Sequence, residues 1–293
     1  MLRYKADLLS LFFLALTIGL FVFLWQSGEL LTTPVWAFLY SWQLLMAVIV
    51  SVMVHNHQHL SMWTVKWLNV LTDNVLTVFY GFPIFAWIPT HNSNHHVHIN
   101  KEPDYTKTYM ASEKNHIGNL VSYPTLSGFQ QQKAVRSYFF SLFNKDRRKF
   151  YFHLLQVISL VTWIVVAFVI DWRKAFLYVV IPQQVSLFTV LVFNYIQHIH
   201  ADEESKYNHS RNMTGGVLNF LLLNNGLHTA HHVSPHLHWS KLREKHNKIV
   251  DKIDPRLNEH NFGWYIFRVY ILGLFSATYR TDNMRMERIQ KQQ

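Results

Sequence analysis

Long uncharged apolar stretches alternate along this chain with polar segments that carry almost all of its charge. Residues 8–25 (LLSLFFLALTIGLFVFLW) and 35–54 (VWAFLYSWQLLMAVIVSVMV) hold no charged side chain. Each is long enough to cross a hydrocarbon core of about 30 Å as a helix. Residues 154–170 and 175–196 form a second such pair, separated by little more than Asp171, Trp172, Arg173 and Lys174. The pattern predicts two helical hairpins, 8–54 and 154–196, with both termini and the middle of the chain on one side of a membrane. Arg3 and Lys5 before the first stretch would also suit a signal peptide. That stretch is long, however, lacks a small-residue cleavage site and is followed closely by a second span, so a membrane helix is expected.

Two further apolar stretches depart from the pattern. Residues 67–89 contain Asn69, Asp73, Asn74, Gly81 and Pro83, and residues 262–279 contain Arg268. Polar groups and broken backbone are costly in hydrocarbon, so both stretches are expected to be interfacial or re-entrant. No internal repeat, low-complexity linker or shift in composition divides the chain, which is read as one domain, 1–293. The fold class expected is all-α integral membrane: four transmembrane helices in two hairpins, with a cytoplasmic helical cap.

Composition supports this picture. Half the residues are apolar, 16% are aromatic and 15% charged, which excludes an ordinary soluble domain or a disordered segment. A net charge of +10 raises nucleic acid as a partner, but no basic cluster with aromatic interleaving is present. Two lysines or arginines precede the first span, ten lie in 55–153 and thirteen in 195–293, leaving only Arg173 and Lys174 in the outer turn. That bias places the shared face in the cytoplasm and explains the charge by topology and anionic headgroups. There is no cysteine, so disulfides, thiolate zinc sites and iron–sulfur clusters held by this chain are excluded.

The candidate chemistry lies in nineteen histidines, most of them grouped on the cytoplasmic side. HNHQH holds His55 and His59, HNSNHH holds His91, His95 and His96, and HTAHH holds His228, His231 and His232. On a helix at about 100° per residue, spacings of three and four place side chains on one face. His57 lies about 200° from His55 and faces elsewhere. His236 and His238 follow Pro235 and are read as interfacial, and His116, His153, His209, His246 and His260 stand alone as solvated or satisfied polar residues. No glutamate lies inside any group, which excludes the His-Glu-x-x-His zinc protease arrangement. Eight imidazoles exceed the four ligands of one zinc, so two metals fit better, and imidazole suits iron, copper and zinc alike.

These three groups, in this order around two hairpins, resemble the histidine boxes of the integral-membrane fatty acid desaturase superfamily. The likeness covers essentially the whole chain, and the surroundings of the third group look nearer to bacterial acyl desaturase-like proteins than to alkane hydroxylases. It implies a non-haem diiron site in the cap. A ninth histidine and an asparagine four residues earlier are also implied, supplied here by NYIQH as Asn194 and His198, with His200 as the other candidate for that ninth place. By resemblance, His55, His59, His91, His95, His96, His198, His228, His231 and His232 hold two irons, and Asn194 reaches one through water. Asp104, Asp202, Asn92 and Asn225 are the candidates for orienting the rings.

The resemblance implies dioxygen as co-substrate and an acyl substrate linked to coenzyme A, a carrier protein or a phospholipid. With no fused cytochrome b5 motif and no cysteine, electrons are expected from a separate ferredoxin, rubredoxin or cytochrome b5-type carrier. The location implied is the bacterial cytoplasmic membrane. An acyl desaturase is the leading reading. A hydroxylase, a ketolase or a terminal-alkene-forming decarboxylase on an alkyl, acyl or carotenoid chain is the alternative within the same fold. A histidine-rich metal-binding or transport protein is the rival from another class, and it would need polar residues along spans that here hold none. The basic segment 241–248 (KLREKHNK) is read as a solvated charge run, with docking of an acidic carrier or a phosphopantetheine group as its functional alternative.

Overall fold

The structure, a computed structural model, describes residues 1–293. Its helices run α1 (Asp7–Ser27), α2 (Thr33–His59), α3 (Lys66–Tyr80), α4 (His96–His98), α5 (Ile117–Lys145), α6 (Arg147–Ile170), α7 (Trp172–Ala175) and α8 (Ile181–His198). Beyond these come β1 (Asn212–Met213), α9 (Gly216–Leu221), α10 (His228–Val233), α11 (Leu242–Asn247), β2 (Asn258–Glu259), α12 (Phe262–Phe267), α13 (Gly273–Phe275) and α14 (Met284–Gln292). The chain divides into two compact units, one of Met1–Pro89 with Ala134–Val190, the other of Thr90–Lys133 with Leu191–Gln293.

Four helical runs in the chain are long and apolar enough to cross a membrane: Asp7–Leu30, Thr33–His59, Arg147–Ile170 and Trp172–His198. Each contains one of the four uncharged stretches. Their ends follow local chemistry. Pro34 occupies the first turn of α2, where no backbone donor is needed. The carboxylates of Asp146 and Asp171 accept the first amides of α6 and α7. The last run is α7, a π-helical turn (Phe176–Val180) and α8 in succession. Val165, Val166, Val169 and Ile170 of α6 are exposed, Val169 by 81%. A face this apolar is stable only against lipid.

Inside the first unit three polar side chains of α2 are paired with the last run. Gln43 Nε2 donates to the Tyr178 carbonyl at 3.0 Å, Trp36 Nε1 to the Tyr178 hydroxyl at 2.9 Å, and the Tyr40 hydroxyl to the Leu177 carbonyl at 2.9 Å. These bonds fasten α2 to the last run. The 67–89 stretch is not one straight helix. Gly81 ends α3 with φ +88°, a left-handed cap that side chains rarely adopt, and the axis bends by 96° between Lys66–Tyr80 and Ile84–His98. A Cβ at Gly81 would also sit 2.5 Å from the side chain of Gln183, whose amide holds the Val78 carbonyl at 2.7 Å. Phe262–Phe275 is a shorter apolar helix, and its Arg268 is neutralised by Glu259 at 2.7 Å.

The second unit is built on two apolar clusters. One joins Leu120 and Tyr123 of α5 to Tyr195, Ile196, Tyr265 and Tyr270; the other gathers Leu227, Ala230, Leu242, Ile249 and Leu257. β1 pairs in parallel with β2 through Asn212 and Asn258. The residue preceding the third histidine group is held tightly here. Gly226 accepts from Met213 N at 2.8 Å, and a Cβ on it would meet the Met213 carbonyl at 2.5 Å. A close backbone approach of this kind admits only glycine.

Candidate metal centre

His55 and His59 occupy the last turn of α2, four residues apart, so their rings meet at 4.8 Å between centroids. His57 turns away as helix geometry requires. Its Nδ1 accepts from Met62 N at 3.1 Å, which leaves the proton on Nε2, 3.2 Å from Asp73.

In the second unit the histidines form two groups. In one, the ligand nitrogens of His95, His198, His228 and His232 lie within 4.8 Å of one another, and all four residues are buried. In the other, His91 Nε2 is 3.1 Å from His96 Nε2, which is 3.0 Å from His231 Nε2. The groups adjoin, because the rings of His96 and His232 stack at 4.3 Å.

The second and third histidine boxes are therefore divided. The expectation that His228, His231 and His232 share one face is corrected: His228 and His232 join the quartet, while His231 joins His91 and His96. Residues four apart on a helix lie about 40° apart and can converge, whereas neighbours such as His231 and His232 diverge by about 100°. HNSNHH divides in the same way, for a second reason. Ile88–His95 is π-helical, with bonds from each residue to the fifth beyond it. The wider turn brings His91 under His96, which an α-helix would leave about 140° apart, and frees His95 for the quartet.

In two of the quartet rings the second nitrogen fixes the proton. His95 Nδ1 donates to Asp104 Oδ2 at 2.8 Å. The carboxylate also accepts from Asn100 N and Thr106 N, both at 2.7 Å, and from the Thr106 hydroxyl at 2.8 Å. Burial alone would raise the Asp104 carboxyl, but the facing His95 and these donors hold it well below the usual carboxylate range. His198 Nδ1 donates to the His209 carbonyl at 3.0 Å. Both rings therefore turn an unprotonated Nε2 inward, and His95 Nε2 is buried with no hydrogen-bond partner. Burial, with the neighbouring rings, also pushes His232 far below its ordinary value, and burial pushes His209 down to about 4. Burial thus favours the neutral form of His232 and His209.

The spacing fits a metal. His228 Nε2 lies 3.0 Å from His198 Nε2 and 3.1 Å from His232 Nε2. One imidazole nitrogen offers one proton or one lone pair and cannot bond both neighbours. Lone pairs converging on a cation at about 2.1 Å, with right angles between them, give nitrogen separations of about 3.0 Å. The donor set is all imidazole, with no thiolate or carboxylate, as suits iron, copper or zinc.

The remaining sequence candidates fall in several places. Asn194 donates to the Tyr123 hydroxyl at 2.6 Å and the Thr106 carbonyl at 3.3 Å, and Tyr123 donates to that same carbonyl. Asn194 thus supports the loop that carries Asp104. His198 faces the histidines, whereas His200 is bound by Thr281 and the Glu113 carbonyl. Asp202 is engaged by Arg288 at 2.7 Å. The Asn225 carbonyl accepts from Gln197, and Asn92 sits half-buried on the π turn. His236 is exposed, and His238 caps the turn at Ser240. Sequence reasoning missed Thr106, Tyr123 and the His209 carbonyl. The run Asp104–Thr106, eight residues past His96, was the available signal for the first; a backbone carbonyl leaves none.

Fold and site together define a multi-pass membrane protein with a polyhistidine metal centre. Residues 31–265 match the sequence model described as fatty acid desaturase, and the chain belongs to that family. No curated protein and no solved structure matches it. Its function is that of the desaturase superfamily, an oxidoreductase chemistry at a metal site.

Proposed function

We propose that this chain, acting as one domain over 1–293, is a dioxygen-dependent fatty acyl desaturase with two irons and a separate electron carrier. The observation that carries the reading is the division of the second and third boxes between two all-imidazole groups. His95, His198, His228 and His232 form the ligand set of one metal. His91, His96 and His231 belong to that of the other, and His55 and His59 of the first box are ligands by the family resemblance. Asp104 orients His95 and raises the basicity of its Nε2, and Asn194 steadies the Thr106 segment beneath it. The charge bias favours a cytoplasmic site.

An unactivated methylene has neither an acidic proton nor an electrophilic carbon, so side-chain acids, bases and nucleophiles cannot attack it. Two irons would supply the missing redox capacity with dioxygen. The protein's part is to hold neutral nitrogens inward, exclude water from the quartet and position the acyl carbons. Lipid profiling by mass spectrometry after expression in a bacterial host, with metal counting on the purified protein, tests the reading. About two irons per chain and a new double bond are expected, with His232→Ala keeping about one iron and losing the double bond. An added oxygen would assign a hydroxylase, a one-carbon-shorter terminal alkene a decarboxylase, and a single exchangeable zinc or copper would overturn the enzyme reading.

A further inference from the structure

A cavity of about 250 Å³ lies in the second unit apart from the histidine groups, walled by β2 and lined by Arg211, Arg256, Arg268 and Arg280. Its two carboxylates are already neutralised. Glu259 pairs with Arg268 at 2.7 Å and Asp282 with Arg256 at 3.4 Å, and Arg256 also holds Asp254 and Glu287. Arg280 has no carboxylate partner; its Nε donates to the Gly273 carbonyl at 2.8 Å. Arg211 has none either. Its Nη1 donates to the Ile196 and Ile199 carbonyls at 3.2 and 3.1 Å, its guanidinium lies 5.3 Å from the Tyr265 ring, and its Nε makes no hydrogen bond.

Arg211 is only 2% exposed. A buried cation facing carbonyls and a ring, without a counter-charge, is strongly unfavourable unless an anion completes it. A carboxylate would neutralise one of the two unmatched arginines, whereas a phosphate monoester carries close to two negative charges. Its oxygens also match guanidinium forks. We infer that this cavity binds a phosphate group through Arg211 and Arg280. The 3′-phosphate of coenzyme A, the headgroup of phosphatidic acid and free phosphate all offer that chemistry.

Calorimetric titration of the full-length protein in a neutral detergent with inorganic phosphate tests the site, independently of turnover and so of the desaturase reading. Binding is expected to saturate at one site per chain. Arg280→Gln, an exposed position, should weaken it about tenfold or more with the metal count unchanged. Arg211→Lys keeps the charge but loses the fork and should weaken it by a smaller factor. Displacement of phosphate by coenzyme A assigns an acyl carrier. Displacement only by vesicles containing phosphatidic acid assigns a lipid headgroup, and displacement by neither assigns free phosphate. Phosphate that fails to saturate, or that binds Arg280→Gln as tightly as the parent, overturns the inference.

Discussion

The quartet of His95, His198, His228 and His232 is buried throughout, whereas His91 and His96 of the neighbouring trio are only half-buried. Support differs as well. The quartet has Asp104 behind His95 and the His209 carbonyl behind His198, each bonded to the nitrogen that faces away from the centre. Two groups made of one residue type thus differ in how firmly their rings are held and how easily solvent reaches them. On the proposed diiron reading, the closed group would retain its metal more firmly and the more open one would exchange ligands more readily. The difference arises in the loop after the second box and in the segment after α8, not in the boxes.

The largest effect expected from breaking this contrast is in the quartet itself. His232→Ala should lower the metal count from about two to about one and abolish product formation, as read by elemental analysis and lipid profiling. Asp104→Asn keeps the shape but removes the charge that faces His95. Loss of such a support costs about 10–100-fold in metal affinity or activity, and metal-chelator competition should show it with the fold intact by circular dichroism.

Acidification is the next lever. His209 is held at about 4 by burial and His232 well below its ordinary value, while an unfolded histidine titrates near 6.5. Between about pH 6.5 and 4 the unfolded chain therefore binds protons that the folded chain refuses, so stability falls as pH drops through that window. Thermal unfolding of the metal-free protein should show a lower midpoint at pH 5 than at pH 7.5, and a flat profile would remove the case for neutral buried rings. Smallest of all, His236→Ala changes an exposed ring outside both groups. Metal count, activity and melting temperature should stay within error of the parent.

Much of this was legible along the chain. Uncharged stretches of sufficient length gave the four spans, because hydrocarbon tolerates little else. The polar residues and Gly-Phe-Pro in 67–89 signalled a break, and the left-handed Gly81 is where it falls. The histidine spacings marked all three boxes. What could not be read was their allocation. It depends on a π turn at Ile88–His95, and a 3.6-residue period assumed throughout cannot reveal that. Nor could the tautomers be read, since they rest on Asp104 and on a carbonyl that any residue at position 209 would provide.

By itself, then, the sequence determined a membrane-spanning helical protein, its histidine-rich chemistry and, with the family match over 31–265, its superfamily. Each follows from residue type and local spacing, which the chain carries directly. Only the tertiary structure decided which histidines share a centre, which nitrogen of each ring faces it, and that Arg211 and Arg280, 69 positions apart, line one cavity. Those are matters of direction and of distance between remote segments, fixed when the backbone closes and buried groups must find partners.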